Sequence, residues 1–459
     1  MDLDPVFLSR IQFAFLIAFH FLLPAFTIGL ASYIAVLEGL YLWTRRAAYL
    51  RLSAFWLRVF AISFGMGVVS GIVMPFQFGT NWSRYSELTA AVIAPLMGYE
   101  ALTAFFLEAA FLGILLFGRK LVPQWVHFAS AVIVAAGTLF SAFWILAANS
   151  WMHTPAGFEL VDGRFIPTSW TEVIFNPSFH FRLAHTVIAV YLTTAFTVIG
   201  VAAWYLRRDR YAEESKIMIA MGVLLASFLV PLQLVLGDLH GLNTLEHQPT
   251  KLAAMEGIWE SGPGQPAILF AIPDEASETN RFELAIPKLG SLYLTHDWEG
   301  KVEGLKAVPK EDRPPVKPVF FAFRVMVGMW LVMFGMTAWS WLLVLRRRLY
   351  SSRKFLRAAV CTIPVGYIAV TAGWITTEVG RQPWVVYGHL RTADAVTPSL
   401  SGGDVLASLV LYVIVYAMIF GAGLYYLVGL VQRGLPSEMP EPRLDKRPAR
   451  PLSAATHPD

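Results

Sequence analysis

From residue 11 to residue 430, long apolar runs alternate with more polar segments, several of them short and basic. The pattern predicts nine spans, over 11–42, 54–79, 90–118, 124–148, 184–206, 215–237, 319–344, 357–377 and 404–430. At about 1.5 Å rise per residue, each is long enough to cross a hydrocarbon core of ~30 Å. A single large soluble core would not need so many runs of this length. The composition agrees: 56% of the 459 residues are hydrophobic and 15% charged, against about 25% charged in an average soluble domain. The expectation is an all-α integral membrane protein. Its first run has no small-residue cleavage site and contains His20, so it reads as a retained helix and not a signal peptide.

Charge orients the spans. Arg45, Arg46 and Arg51 follow span 1, Arg119 and Lys120 span 3, and Arg207, Arg208 and Arg210 span 5. Arg346, Arg347, Arg348, Arg353 and Lys354 follow span 7, and the tail after span 9 is again basic. Basic loops stay cytoplasmic, so the N-terminus is expected in the periplasm and the C-terminus in the cytoplasm. The opposite side receives loops near 80–89, 149–183, 238–318 and 378–403. A formal net charge of +4 is too small and too scattered for a nucleic-acid partner, and the single Cys361 excludes an internal disulfide framework. There is no phosphate-binding glycine pattern and no HExxH zinc pair.

Against this background the polar residues at membrane depth stand out. His20 lies about ten residues into span 1, in FLIAFHFLLPAF, and Glu100 and Glu108 lie in YEALTAFFLEAAF of span 3. An acid left in lipid costs from roughly 2.5 kcal/mol upward, so these groups should face a protein interior, a cofactor or a water file. On a regular helix the two glutamates are about 80° apart and ~12 Å along the axis, which suits a relay better than a paired-acid site. The plain alternative for His20 is a structural hydrogen bond across helices.

A second group gathers at outer helix ends. His185 opens span 5, Met326 opens span 7, and Glu378 closes span 8 in TEVGRQPW. Imidazole and thioether are an axial pair for low-spin haem iron. Arg182 and Arg324, just before His185 and Met326, could neutralise propionates or carboxylates. Met326 is also one of 14 methionines, for which packing is the ordinary role, and Glu378 and Arg381 could be solvent-facing groups at a helix end. His180 reads as an outer-loop residue, His127 as an interfacial hydrogen-bonding group, and His153 in NSWMHTPAG as part of a turn covering the outer face. The residues alone point to electron or proton machinery, or to a transporter.

The motifs RIQFAFLIAFH, GYEALTAFFLEAAFLG, FHFRLAHT, GDLHG…KLAAMEG, FRVMVG and GWITTEVGRQPW occur in this order. Over about residues 5–430 the chain resembles subunit I of the bacterial cytochrome bd family of quinol oxidases. The resemblance implies that His185 and Met326 are the axial ligands of a low-spin haem b. It implies that His20 and Glu378 hold two high-spin haems, a second haem b and a haem d, with the order of the two open. Glu100 and Glu108 then correspond to a proton path beside that pair, and Lys251 and Glu256 to quinol-binding residues. Trp374 resembles the aromatic near the high-spin haems, and Arg381, like Arg324, would serve as a propionate contact.

The 238–318 loop is short, like that of the branch containing cyanide-insensitive oxidases, some of which carry haem b in place of haem d. The implied organisation is 1–237 with six spans, 238–318 as periplasmic quinol-binding loop, 319–434 with three spans, and 435–459 as a disordered cytoplasmic tail. The implied partners are subunit II, a small single-helix accessory subunit, ubiquinol or menaquinol, and O2. The implied activity is quinol oxidation outside, with oxygen reduced to water by cytoplasmic protons. A membrane cytochrome b that passes on electrons without reducing O2 is the alternative. A secondary transporter would need repeated halves with discontinuous helices, and nine spans do not divide equally.

Overall fold

The computed structural model describes residues 4–436; the expected disordered tail, from residue 437 on, lies outside the described residues. Among the described residues, nine helices or helix pairs are long and apolar enough to cross a membrane. The first is broken: α1 (Pro5–Leu22) gives way at Leu23 to α2 (Pro24–Thr44). A proline has no N–H to give its preceding turn and starts a new helix readily, so the break falls three residues after His20. Then come α3 (Ala47–Thr80), α4 (Ser83–Glu100) and α5 (Phe106–Phe117), the last two joined through a π-helical turn over Ala101–Phe105. The remaining early helices are α6 (Gln124–His153), the short α7 (Trp170–Ile174), α8 (Phe179–Leu206) and α9 (Ala212–His247).

The α9 helix runs ten residues past the predicted end of span 6. The segment after it folds as α10 (Pro249–Glu256), a hairpin of Ala267–Asp274 with Thr279–Ile286, and α11 (Leu289–Thr295). Pro249 starts α10, and Gly257 ends it with φ of +74°, a conformation that glycine adopts without strain. The last spans are α12 (Val316–Leu345), α13 (Arg353–Cys361) with α14 (Val365–Val379), and α15 (Gly402–Arg433). The largest apolar core joins α2, α3, α8, α9 and α13 around Phe55, Trp56, Tyr205 and Phe355.

Helix ends meet in two groups. On the basic face, Arg46 pairs with Glu213 and Arg51 with Glu214, and Tyr205 donates to the Val431 carbonyl. On the other, long-loop face, the Tyr387 N–H donates to the Met152 carbonyl and Thr397 N–H to that of Asn81. There the Asn243 amide donates to the Pro177 carbonyl and Gln248 to that of His153. These contacts establish the alternation of directions that the spans require.

Candidate functional site

The end of α14 delivers Glu378 into a buried polar network on the long-loop face. Its Oε1 accepts from Asn149 Nδ2 at 3.0 Å and from His153 Nε2 at 3.1 Å. Its Oε2 pairs with Arg381 at 2.7 Å. Asn149 and His153 are four residues apart on α6, so one helical face presents both donors. Arg182, one turn into α8, donates to Asn149 Oδ1 at 2.8 Å and stands 3.7 Å from Glu378 Oε1. From α10, Lys251 Nζ donates to His153 Nδ1 at 3.0 Å and to Gln248 Oε1.

His153 is therefore not a residue of a covering turn. It ends α6, is 0% exposed and ties two helices together. Three cations, Arg182, Arg381 and Lys251, surround one carboxylate here. Burial holds the Lys251 ammonium well below the usual lysine range, and Arg182 adds to that. Among the described residues Arg182 Nε and Arg381 Nε and Nη1 are buried without a hydrogen-bond partner. Buried unpaired guanidinium N–H groups are costly, so the network has donors and positive charge to spare for an anionic group.

Three other residues singled out in the sequence lie on helices that pack against α14. The His185 ring, on α8, faces Gln233 Nε2 at 3.2 Å from its Nε2, while its Nδ1 is buried and unpartnered among the described residues. Met326 is on α12, and a Cβ on Gly373 of α14 would come within 3.1 Å of its sulfur. His20 Nδ1 lies 3.0 Å from Ser70 Oγ, and a Cβ on Gly71 would come within 3.1 Å of its Cε1. Trp374 packs on Phe21, next to His20, with ring centroids 5.9 Å apart. Imidazole, thioether and carboxylate thus stand beside glycines and spare cations, a donor set that fits haem iron and its propionates.

Arg324 is engaged differently. Its guanidinium lies 3.3 Å over the Phe320 ring centroid, and its Nη1 donates to the Met255 carbonyl at 2.7 Å. It stands 3.9 Å from Glu256 Oε2, so it braces the loop segment. Glu256, 3% exposed, accepts from the Tyr293 hydroxyl at 2.6 Å. Burial pushes the Glu256 carboxyl up from the ordinary carboxylate range, against Tyr293 and Arg324, which pull it down.

The membrane carboxylates form a second constellation. The π turn between Glu100 and Glu108 corrects the regular-helix expectation: it absorbs one extra residue, which changes the offset of the pair from about 80° to about 20°. Both then face one stripe of α6. Ser141 Oγ donates to Glu100 Oε1 at 2.7 Å, and one turn away a Cβ on Gly137 would reach within 2.8 Å of Glu108 Cγ. Glu108 Oε1 is buried with no hydrogen-bond partner among the described residues.

Sequence reasoning passed over Asn149, His153, Gln233 and Tyr293 as site residues, and Glu38 altogether. The one available signal was the four-residue spacing of Asn149 and His153 at the end of an apolar run. Glu38 is fully buried near the basic face, joined to Ser53 and Arg119, to Gln124 at 2.8 Å and to His127 at 3.2 Å. His127, in the first turn of α6, hydrogen-bonds to the Leu115 carbonyl at 3.1 Å and is buried in the protein. His180 stacks on Phe175, with centroids 5.6 Å apart, at the start of α8.

Comparison with known proteins gives the family. The family described as cytochrome bd terminal oxidase subunit I matches residues 8–435. The cytochrome bd ubiquinol oxidase subunit 1 of Bacillus subtilis is 37% identical over 435 residues, 92% of each chain. The cytochrome bd-II ubiquinol oxidase subunit 1 of Escherichia coli is 32% identical over 504 residues, 95% of this chain and 98% of that one. The structure of bd oxidase from Geobacillus thermodenitrificans superposes with a TM-score of 0.88 at 30% identity, covering 95% of this chain and all of the other. With its whole membrane body matched, the chain belongs to the family of subunit I of the cytochrome bd terminal oxidases, haem-bearing quinol:oxygen oxidoreductases that work in multi-subunit complexes of the bacterial inner membrane.

Proposed function

We propose that quinol is oxidised on the long-loop face against Lys251 and Glu256, that this face is periplasmic, and that protons for oxygen reduction enter from the basic, cytoplasmic face. In this reading His185 and Met326 hold a low-spin haem b. His20 and Glu378 hold two high-spin haems, one of them haem b and the other haem d or a further haem b. Arg381, Arg182 and Arg324 balance propionates and carboxylates, and Trp374 packs beside the pair. When bound, the haems carry electrons from quinol to oxygen and reduce it to water.

The protein's own groups handle the protons. A quinol loses two electrons and two protons; the buried Glu256 carboxylate accepts the hydroxyl protons one after the other, and Tyr293 leads from it toward the exposed loop surface. Each O2 takes four electrons, from two quinols, and four protons to give two waters. Glu108, whose Oε1 has no partner among the described residues, receives cytoplasmic protons and passes them toward Glu100, which Ser141 holds in place. Releasing protons on one side and consuming them from the other stores ~2.3 kcal/mol per charge per 100 mV without a separate pump. The quinol is ubiquinol or menaquinol, and the complex is completed by subunit II and a small single-helix accessory subunit.

The observation that carries this reading is the surplus of buried, unpaired cationic donors around Glu378, at the end of a helix packed against those of His185 and Met326. Met326→Leu tests it in the purified complex. The expected result is an assembled complex whose low-spin signal is altered in the reduced-minus-oxidised spectrum, with slowed quinol oxidation. Unchanged spectra and turnover would remove Met326 as a ligand. Haem extraction from the wild-type complex identifies the pigments.

A further inference from the structure

His153 occupies a place that the mechanism above does not use. Its two ring nitrogens face different partners: Nδ1 accepts from Lys251 Nζ at 3.0 Å, and Nε2–H donates to Glu378 Oε1 at 3.1 Å. That pattern fixes one tautomer, with the proton on Nε2. The residue is 0% exposed, and its backbone carbonyl accepts from Gln248 Nε2 at 2.9 Å. Gln248 Oε1 in turn accepts from Lys251, closing a buried ring of hydrogen bonds between α6 and α10. On the other side Asn149 donates to the same Glu378 oxygen, leaving Oε2 to Arg381.

We propose that His153 is a positioning residue that joins the quinol-binding segment to the high-spin haem site through an unbroken bridge, Lys251 Nζ to His153 to Glu378 Oε1. The proposal rests on the assignment of Lys251 to quinol and of Glu378 to a haem. A quinol arriving at α10 moves or orders Lys251, and the bridge delivers that change to the carboxylate within two hydrogen bonds. No bond is made or broken in this step. Its consequence is that occupancy of the quinol site and the electronic state of one high-spin haem are coupled, in both directions.

The test is a double-mutant cycle on the complete oxidase, read by redox titration of the haem spectra and by the quinol KM. Glu378→Ala first identifies the high-spin signal that depends on this carboxylate. Lys251→Met is expected to shift the midpoint potential of that signal downward, because a nearby cation favours the reduced, less positive iron. His153→Leu is expected to shift it as well and to make Lys251→Met silent, whereas His153→Gln, which can still accept and donate, preserves the transmitted shift. Additive shifts, or no shift in Lys251→Met, overturn the bridge. If His153→Leu does not assemble, His153→Phe takes its place: a Lys251→Met shift that vanishes in that background supports the bridge, and a shift equal to that in the wild type overturns it. Retention of every haem signal in Glu378→Ala is a failure of the ligand assignment instead, which separates the two.

Discussion

Two buried clusters at opposite ends of the molecule use the same residue types and reach opposite states. Near the basic face, Glu38 has both oxygens occupied: Ser53 and Arg119 on Oε1, Gln124 and His127 on Oε2. One arginine answers one carboxylate, and Glu38 is 0% exposed. Near the long-loop face, Glu378 has a histidine, an asparagine and two arginines, with Lys251 behind them, and its side chain is 31% exposed. Both clusters hold buried polar atoms without a partner among the described residues, so the difference lies in charge: the first sets one arginine against one carboxylate, and the second carries a surplus of cations. A balanced cluster pins helices, whereas an unbalanced one is built to receive something.

The largest effect expected from that contrast is at Glu38. Glu38→Ala leaves Arg119 buried without its counter-charge, a loss on the order of 3–5 kcal/mol. All haem signals and the amount of assembled complex should fall together. Glu378→Ala should remove one high-spin signal while the low-spin signal remains, because this side chain is 31% exposed and water can take its place against the cations. Spectra and thermal inactivation of membranes from the two variants check this. Full haem content in Glu38→Ala would show that the balanced cluster is no lock.

The contrast also marks how far the sequence could be read. Spans are legible because each is a local run of apolar residues, and nine emerge from the chain as nine membrane-length helices. The direction of alternation follows from arginines in the loops, which put Glu378, His185 and Met326 toward one face. What lies between helices is not local. Glu38 finds partners from residues 53, 119, 124 and 127, and nothing in the span around it announces them. His153 sits in a stretch that resembles a turn, and only the packing of α10 against α6 turns its ring into a bridge. The π turn is invisible for a different reason: ALTAF has ordinary helix-forming residues, and tertiary contacts of Ser141 and Trp144 with that segment accompany the wider turn.

Glu108 is a third kind of buried carboxylate, neither balanced like Glu38 nor crowded by cations like Glu378. One of its oxygens has no partner among the described residues, and Gly137 leaves its methylene room against α6. No helix is pinned by it, so Glu108→Ala should leave haem content close to wild type. If it passes protons, turnover should fall on the order of 10²-fold, the size of a lost proton-transfer group. Oxygen consumption measured against haem content checks this, and full turnover would place the proton route elsewhere.

Glu256 gives the smallest and most specific test. It is buried on the long-loop face but lies in α10, outside the spans, and it is held by one hydroxyl and one distant arginine. Burial raises its pKa, whereas the Tyr293 hydroxyl and Arg324 lower it by favouring the carboxylate. As acceptor of a quinol proton it must be ionised, so kcat/KM for quinol should rise with pH through a limb placed above the ordinary glutamate range. Linkage has the opposite sense for stability: a carboxyl raised in the folded state stabilises the loop at acid pH, and that contribution is lost as pH rises through the folded-state value. Tyr293→Phe removes a donor that favours the carboxylate, so the limb should move to higher pH, with a few-fold loss of rate on its acid side and little change above it. Glu256→Gln should abolish the limb. A pH profile that Tyr293→Phe leaves in place would mean that the proton is taken by another group, and the open character of this face would then have to rest on the Glu378 network alone.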